Sequence, residues 1–423
     1  MLGRAFSSQR PPGLNVDGLV TMVSLKAIQD ARRRIAPYVR TTAMLDVGQL
    51  HTEGPRLALK LENLQRTGAF KIRGASNCLA QLADEEKARG VIAASAGNHA
   101  QGVAAAAKAM GIRATIVMPR DTPVLKVDRT RSHGAEVVLS GTDFDEANLE
   151  ARRRCTEEGL VFVHPFADER VISGQGTIGL EVLDQCSDVS SVVVPVGGGG
   201  LISGIAVAIK SQAPHVKVFG VQSEMAPAMH ASLCARQPTV VAARPTIAEG
   251  IAVGRPEAIN CRIVREYVDD IVTVSDGDVA TAMLRLMEDH KLIVEGAGAA
   301  PLAAVDALAN RLGHQSVLVL SGGNADVTTL GSVIDRGLAE AGRSVRLLVD
   351  LQDIPGALAK LAEVLSQAQA NIIEIYHNRL TGELEVGKAE VEVVLSTRGP
   401  DHVAQIVDTL IAGGYRARHH EHG

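Results

Sequence analysis

From residue 56 to about residue 321 the chain alternates short apolar runs with longer stretches of helical spacing. The runs are "LALKLE" (57–62), "GVIAAS" (90–95), "ATIVMP" (114–119), "EVVLS" (136–140) and "LVFVHPF" (160–166). "SVVVPV" (191–196), "VKVFGVQ" (216–222), "IVTVS" (271–275) and "SVLVLS" (316–321) continue the series. They are predominantly apolar, and all but "LALKLE" carry β-branched residues, the pattern of strands covered by helices on either side. The intervening segments, such as "HAQGVAAAAKAMG" and "DFDEANLEARRRCTEEG", have helix length and end on a glycine that can cap a helix. Strands alternating with helices over this span predict a parallel α/β architecture.

The texture changes near residue 340. "LAEAGRS" (338–344) reads as a helix end and a short linker at 338–343. After it come "VRLLVDLQ", "DIPG", a helix with apolar positions Leu358, Leu361, Val364 and Leu365, and "NIIEIYHNRL". A Thr381–Gly382 turn, "ELEVGKAEVEVVLS", a helix through 402–412 and "YRARHH" complete the series. This predicts a ferredoxin-like βαββαβ unit at 344–420. The expected division is a lead-in at 1–22, a main domain at 23–337 whose smaller lobe spans roughly 60–160, the linker and the C-terminal unit. In the lead-in, Met22 is an alternative start.

Composition narrows the function. The chain has 423 residues, 46% of them hydrophobic and 2% aromatic, with no tryptophan, so the core is built of Ala, Val, Leu and Ile. A net charge of −5 supplies no basic footprint for nucleic acid. No apolar run approaches the roughly 18 residues of a membrane span. Five scattered cysteines, odd in number and without metal spacing, point to a reducing, cytoplasmic setting.

Three glycine-rich loops follow strand candidates, where open α/β sheets bind their ligands. "VPVGGGGL" puts four glycines behind the run 191–196, as a phosphate held by backbone amides at a helix N-terminus requires. A dinucleotide fingerprint fails because Ile202 stands where the third glycine belongs, and a Walker loop fails because Ile205 replaces the lysine. A small ligand with one phosphate is the remaining reading. "SAGNHAQG" (95–102) offers helix-start amides for a carboxylate, with Ser95 and Asn98 as alternative caps and His99 as a candidate base. "LSGGNAD" (320–326) ends a third strand at Ser321. If the phosphate belongs to pyridoxal phosphate, one lysine must bind it covalently. Lys71 in "QRTGAFKIRGA" is favoured over Lys60 because apolar Phe70 and Ile72 flank it at the opening of a helix.

Taken together, "KLENLQRTGAFKIRGA", "ASAGNHAQG", "VGGGGL", "EGAGA" and "SGGN" resemble the fold type II pyridoxal-phosphate enzymes, and among them the threonine dehydratases. The tail with "DIPGALAKLAEVL" resembles an ACT domain. The resemblance implies a two-lobed parallel-sheet catalytic domain and β-elimination of L-threonine, more weakly L-serine, to a keto acid and ammonia. It implies that Lys71 binds the cofactor and removes the Cα proton, beside Phe70, and that Asn98 bonds the cofactor 3-hydroxyl. Gly197, Gly198, Gly199, Gly200 and Leu201 would cup the phosphate, while Glu295 lies near the ring and Ser321 faces the pyridine nitrogen. Ser95, Ala96, Gly97, Asn98 and His99 would grip the substrate carboxylate.

A neutral hydroxyl at Ser321 would limit carbanion build-up and favour elimination. Ala96 has no proton to give where related serine racemases carry a second serine. Gln222 and Ala228 stand where some relatives bind a divalent cation, so no metal is expected there, and Ala69 stands where many relatives have serine. The tail implies an amino-acid effector, isoleucine or valine, near Asp353, Pro355, Gly356, Asn371 and Ile372, and a homotetramer or homodimer. Alternatives are a serine dehydratase or racemase, a catabolic threonine dehydratase, and a non-catalytic amino-acid sensor.

Overall fold

The structure, a computed structural model, describes residues 23–49, 54–378 and 387–419. The 1–22 lead-in and the Thr381–Gly382 turn lie outside the described residues.

The chain divides into two compact units, Met1–Asp326 and Val327–Gly423. The first is built on two sheets. The larger contains β1 (Met44–Gln49), β2 (Arg56–Lys60), β7 (Ser191–Pro195), β8 (Lys217–Ser223), β9 (Asp270–Val274) and β10 (Gln315–Val319), in the order β1-β2-β10-β7-β8-β9. All neighbours are parallel except β1, which pairs antiparallel to β2 at the edge. The smaller is parallel, with order β5-β4-β3-β6, from β3 (Val91–Ala94), β4 (Ala114–Met118), β5 (Glu136–Leu139) and β6 (Val161–Phe162).

Every strand predicted between 56 and 321 is present, and β7 and β10 are buried along their whole length. Burying each Val of β7 contributes about 1.5–3 kcal/mol. Gly111 and Gly159 close their helices at φ +68° and +66°. The differences lie at edges. β1 has polar and exposed positions and no apolar signal, because an antiparallel edge strand needs only one covered face. The run beginning at 57 belongs to the larger sheet, where β2 ends at Lys60. β6 is two residues long rather than the seven of 160–166, since the chain leaves the sheet toward Pro165, which has no N–H for a ladder.

Helix Glu169–Gln185 packs directly on helix Gly200–Gln212. A Cβ on Gly204 would strike the Ile172 carbonyl and the backbone of Gly176. Close helix packing therefore accounts for the glycine five residues beyond Gly199.

In the second unit, helix Val327–Glu340 runs through the expected linker start and groups with the C-terminal sheet rather than with the main domain. The sheet comprises β11 (Ser344–Gln352), β12 (Asn371–Asn378), β13 (Lys388–Ser396) and β14 (Arg416–His419), ordered β12-β13-β11-β14 and wholly antiparallel. Helices Ala357–Gln367 and Pro400–Ala412 supply Leu361, Leu365, Ile406 and Leu410 to its core. This is the ferredoxin-like order that the pattern predicts, and the topology of an ACT-like module.

Candidate active site

Lys71 opens helix Lys71–Leu79 directly after Phe70. Its Nζ lies 5.2 Å from the centre of the Phe70 ring and donates to the Pro165 carbonyl at 2.9 Å. The preceding turn is tied to the end of β10: the Phe70 amide donates to the Ser321 carbonyl at 3.0 Å, and Ala69 forms a bridge with Gly322. Lysine and SGGN loop therefore form two walls of one crevice.

A third wall is the tetraglycine turn between β7 and helix Gly200–Gln212. The amides of Gly197, Gly198, Gly199, Gly200 and Leu201 have no protein hydrogen-bond acceptor among the described residues. They crowd at a helix N-terminus, where the backbone favours an anion. Gly199 sits at φ +91°, and a Cβ there would lie 2.5 Å from the Met229 methyl. A Cβ on Gly198 would lie 2.5 Å from the Phe166 ring. Phe166 thus floors the turn one residue beyond the carbonyl that holds Lys71. Asn260 donates from Nδ2 to the Phe166 carbonyl at 3.1 Å, while its buried Oδ1 has no protein partner. No sequence motif marks Asn260; only folding brings it beside Gly199.

The SAGN loop closes the crevice. Asn98 donates from Nδ2 to Glu295 Oε1 at 2.7 Å and accepts at Oδ1 from Asn324 Nδ2 at 2.8 Å. Asn324, the last residue of SGGN, also donates to the Thr67 carbonyl at 2.8 Å, tying three loops together. Glu295 lies against Gly250 and Gly322, with no room for a Cβ on Gly322. Ser321 is buried as a residue, and its hydroxyl makes no protein hydrogen bond among the described residues. Leu201 is buried beneath the turn.

Burial sets the charges here. It draws the Lys71 amine down to about 8, against a smaller opposing pull from Glu295, and pushes the Glu295 carboxyl above its ordinary range. The pair is held toward neutrality. An amine titrating near 8 is a competent nucleophile at physiological pH. The rate at which apoprotein takes up pyridoxal phosphate is expected to rise about tenfold per pH unit below 8 and to level off above it. Stopped-flow absorbance against pH checks this; a rate still climbing past pH 10 refutes it.

The His99 ring is held neutral and hydrogen-bonded. Burial drives its pKa down to about 3, and its Nε2 contacts the Val163 carbonyl at 2.9 Å, which requires the N–H on that nitrogen. The ring anchors the helix start to the small sheet, so only the backbone of His99 can take part in binding. Ser95 Oγ accepts from the Gly97 amide at 3.2 Å, shaping the turn. Lys60 is excluded as cofactor lysine: it is fully buried, 2.6 Å from Glu181. Gln222 spends its amide on Val196 and Ala226 carbonyls and on the His230 amide.

In the second unit, Asn371 and Ile372 line an open groove of about 410 Å³ with Ser366 and Gln369. Asp353, Pro355 and Gly356 precede the other end of helix Ala357–Gln367, an 11-residue helix about 16 Å long. One module does not bring the two groups of effector candidates together.

The fold and this crevice define a pyridoxal-phosphate enzyme. Residues 35–322 match the model of the pyridoxal-phosphate-dependent enzyme family, and the chain belongs to that family. The unbonded amides, the Lys71 amine drawn down to about 8 and the Ser321 hydroxyl fit the phosphate, carbonyl and ring nitrogen of this cofactor. The L-threonine ammonia-lyase of Thermotoga maritima is 48% identical over 398 residues, covering 94% of this chain and 99% of that protein. Among solved structures, the processed threonine deaminase isoform 2 of Solanum lycopersicum is 35% identical with a TM-score of 0.71, covering 73% of this chain and 87% of that one. Maize serine racemase is 34% identical with a TM-score of 0.69, covering 75% and 98%.

Proposed function

We propose that this chain is an L-threonine ammonia-lyase that converts L-threonine, and more weakly L-serine, to 2-oxobutanoate or pyruvate and ammonia. The likeness to the Thermotoga protein over nearly its whole length carries the reading. Bound pyridoxal phosphate supplies an electron sink for the bond broken at Cα.

The protein supplies the rest. Lys71 binds the cofactor and, as a free amine, takes the Cα proton. The loop from Ser95 to His99, whose Ser95 amide is itself spent on the Val117 carbonyl, receives the substrate carboxylate at the helix start and orients Cα toward Lys71. Asn98, oriented by Asn324 and Glu295, bonds the 3-hydroxyl. The amides of Gly197–Leu201 hold the phosphate. Ser321 would lie at the ring nitrogen and offer it a neutral hydroxyl rather than a carboxylate, a setting in which loss of the β-hydroxyl would be favoured. Racemisation is disfavoured because Ala96 offers no proton to the opposite face of Cα.

The ACT-like unit reads as an amino-acid sensor, responding to isoleucine or valine between paired modules of a homodimer or homotetramer in the cytoplasm. The separation of Asn371 from Gly356 within one module supports a site that needs two. Keto-acid release from L-threonine is expected, suppressed by L-isoleucine in the full chain and unaffected by it after deletion of 344–423. Release that isoleucine leaves untouched in the full chain removes the feedback reading; no keto acid from cofactor-loaded protein removes the lyase reading.

A further inference from the structure

Behind Lys71 lies a group of four buried charges that the proposed reaction does not use. Lys60, Glu62, Arg73 and Glu181 are each at most 5% exposed, two positive and two negative. Arg73 donates from Nε and Nη2 to the two carboxylate oxygens of Glu62, each at 2.8 Å. Its Nη1 and Nη2 reach Glu181 at 2.6 and 3.0 Å, and further bonds go to Thr177 Oγ1 and the Arg40 carbonyl. Lys60 Nζ donates to Glu181 Oε2 at 2.6 Å, to the Thr42 carbonyl at 2.8 Å and to Gln185 Oε1 at 2.9 Å. Thr42 donates to Glu62 at 2.5 Å.

Stability alone is a poor reason for such a cluster. Removing four charges from water is costly, and well-packed apolar residues often serve as well or better. Placement offers another reason. Arg73 is two residues beyond Lys71 in the first turn of one helix, so the two side chains leave opposite faces. The planar guanidinium, forked onto two carboxylates from different elements, resists both rotation and sliding. Glu62 stands on the short turn after β2 and Glu181 on helix Glu169–Gln185. That second helix also bonds the Gly74 amide through Gln175 Oε1 at 3.1 Å. On another side, a Cβ on Gly102 would lie 3.0 Å from the Lys71–Ile72 backbone.

We propose that Lys60, Glu62, Arg73 and Glu181 form a positioning network that fixes the rotation of the Lys71 helix, with Arg73 as the residue that couples the network to the lysine. The proposal rests on the reading of Lys71 as the cofactor lysine.

The test uses full-length holoenzyme in two variants, Arg73→Lys, which keeps the charge and loses the fork, and the charge-balanced pair Arg73→Met with Glu62→Gln. Thermal melting, kcat and KM for L-threonine, and the visible circular dichroism of bound cofactor are measured. A displacement of about 1 Å at the reacting amine costs about 10²-fold in rate. Arg73→Lys is expected to fold and bind cofactor with kcat lowered to that extent, KM changed far less, and the visible dichroic band weakened. The paired variant should behave alike even where its melting temperature matches wild type. Wild-type kcat and dichroism in Arg73→Lys overturn the proposal, as does a melting temperature that falls alone. Should both variants fail to fold, Thr42→Val loosens Glu62 without unpairing a charge; lowered kcat with a weakened band supports the network, and unchanged values overturn it. Lys71→Ala separates the two failures: if it retains elimination, the reading of Lys71 is wrong, whereas an inactive Lys71→Ala beside a normal Arg73→Lys refutes only the network.

Discussion

Lys71→Ala is expected to abolish keto-acid release and the absorption band of lysine-bound cofactor together. Lys71 is asked to do two things, bind the cofactor and move the Cα proton, and loss of a positioned general base alone costs about 10²–10⁴-fold. With the covalent attachment lost as well, the fall in kcat should exceed that range. No neighbour can substitute. Lys60 is held by Glu181, Thr42 and Gln185 on the far side of the helix, and His99 is neutral and engaged with Val163. Absorbance at saturating pyridoxal phosphate and coupled keto-acid assays check the two effects separately. A Lys71→Ala protein with wild-type turnover would falsify the assignment.

Gly198→Ala should weaken cofactor binding by about 5- to 150-fold, the equivalent of an overpacking cost of about 1–3 kcal/mol. The added methyl would meet three atoms of the Phe166 ring at 2.5 to 2.6 Å, with the Phe166 backbone already packed against Gly200. The turn must therefore shift, and shifting it would misdirect the amides proposed to hold the phosphate. Pyridoxal phosphate titration of the apoprotein reads the effect. Adding Phe166→Leu should restore part of the affinity if the ring is the obstacle; no recovery would place the defect in the backbone of the turn. Unaltered affinity in Gly198→Ala would remove the turn from the phosphate site.

Much of this architecture is legible along the chain, and the reason is local. A parallel strand covered on both faces must be apolar at every position, so β7 and β10 announce themselves without reference to the rest of the molecule. Helix ends at Gly111 and Gly159 are equally local, since the left-handed backbone they adopt suits glycine. The antiparallel edge strand β1 carries no such signal, and neither does the assignment of β2 to the larger sheet, which depends on pairing with a strand some 260 residues away. The same division runs through the site. Lys71, the tetraglycine turn, Asn98 and Ser321 can be singled out because glycine, lysine and amide residues cluster at strand ends, where ligands bind. Asn260 and Phe166 cannot, because an asparagine on a helix and a phenylalanine in a loop acquire meaning only from what they touch.

Charge shows the limit most clearly. By sequence, Lys60 and Lys71 are two lysines eleven residues apart at the ends of apolar segments. The chain itself determined the alternation of strands and helices, the three glycine-rich loops and the ferredoxin-like tail, because each follows from the chemistry of adjacent residues. Tertiary structure alone decided which lysine is ion-paired and which is left as an amine titrating near 8, and it decided that His99 is a neutral anchor. Desolvation and ion pairing depend on what surrounds a group in space, and those surroundings come from residues more than sixty positions apart.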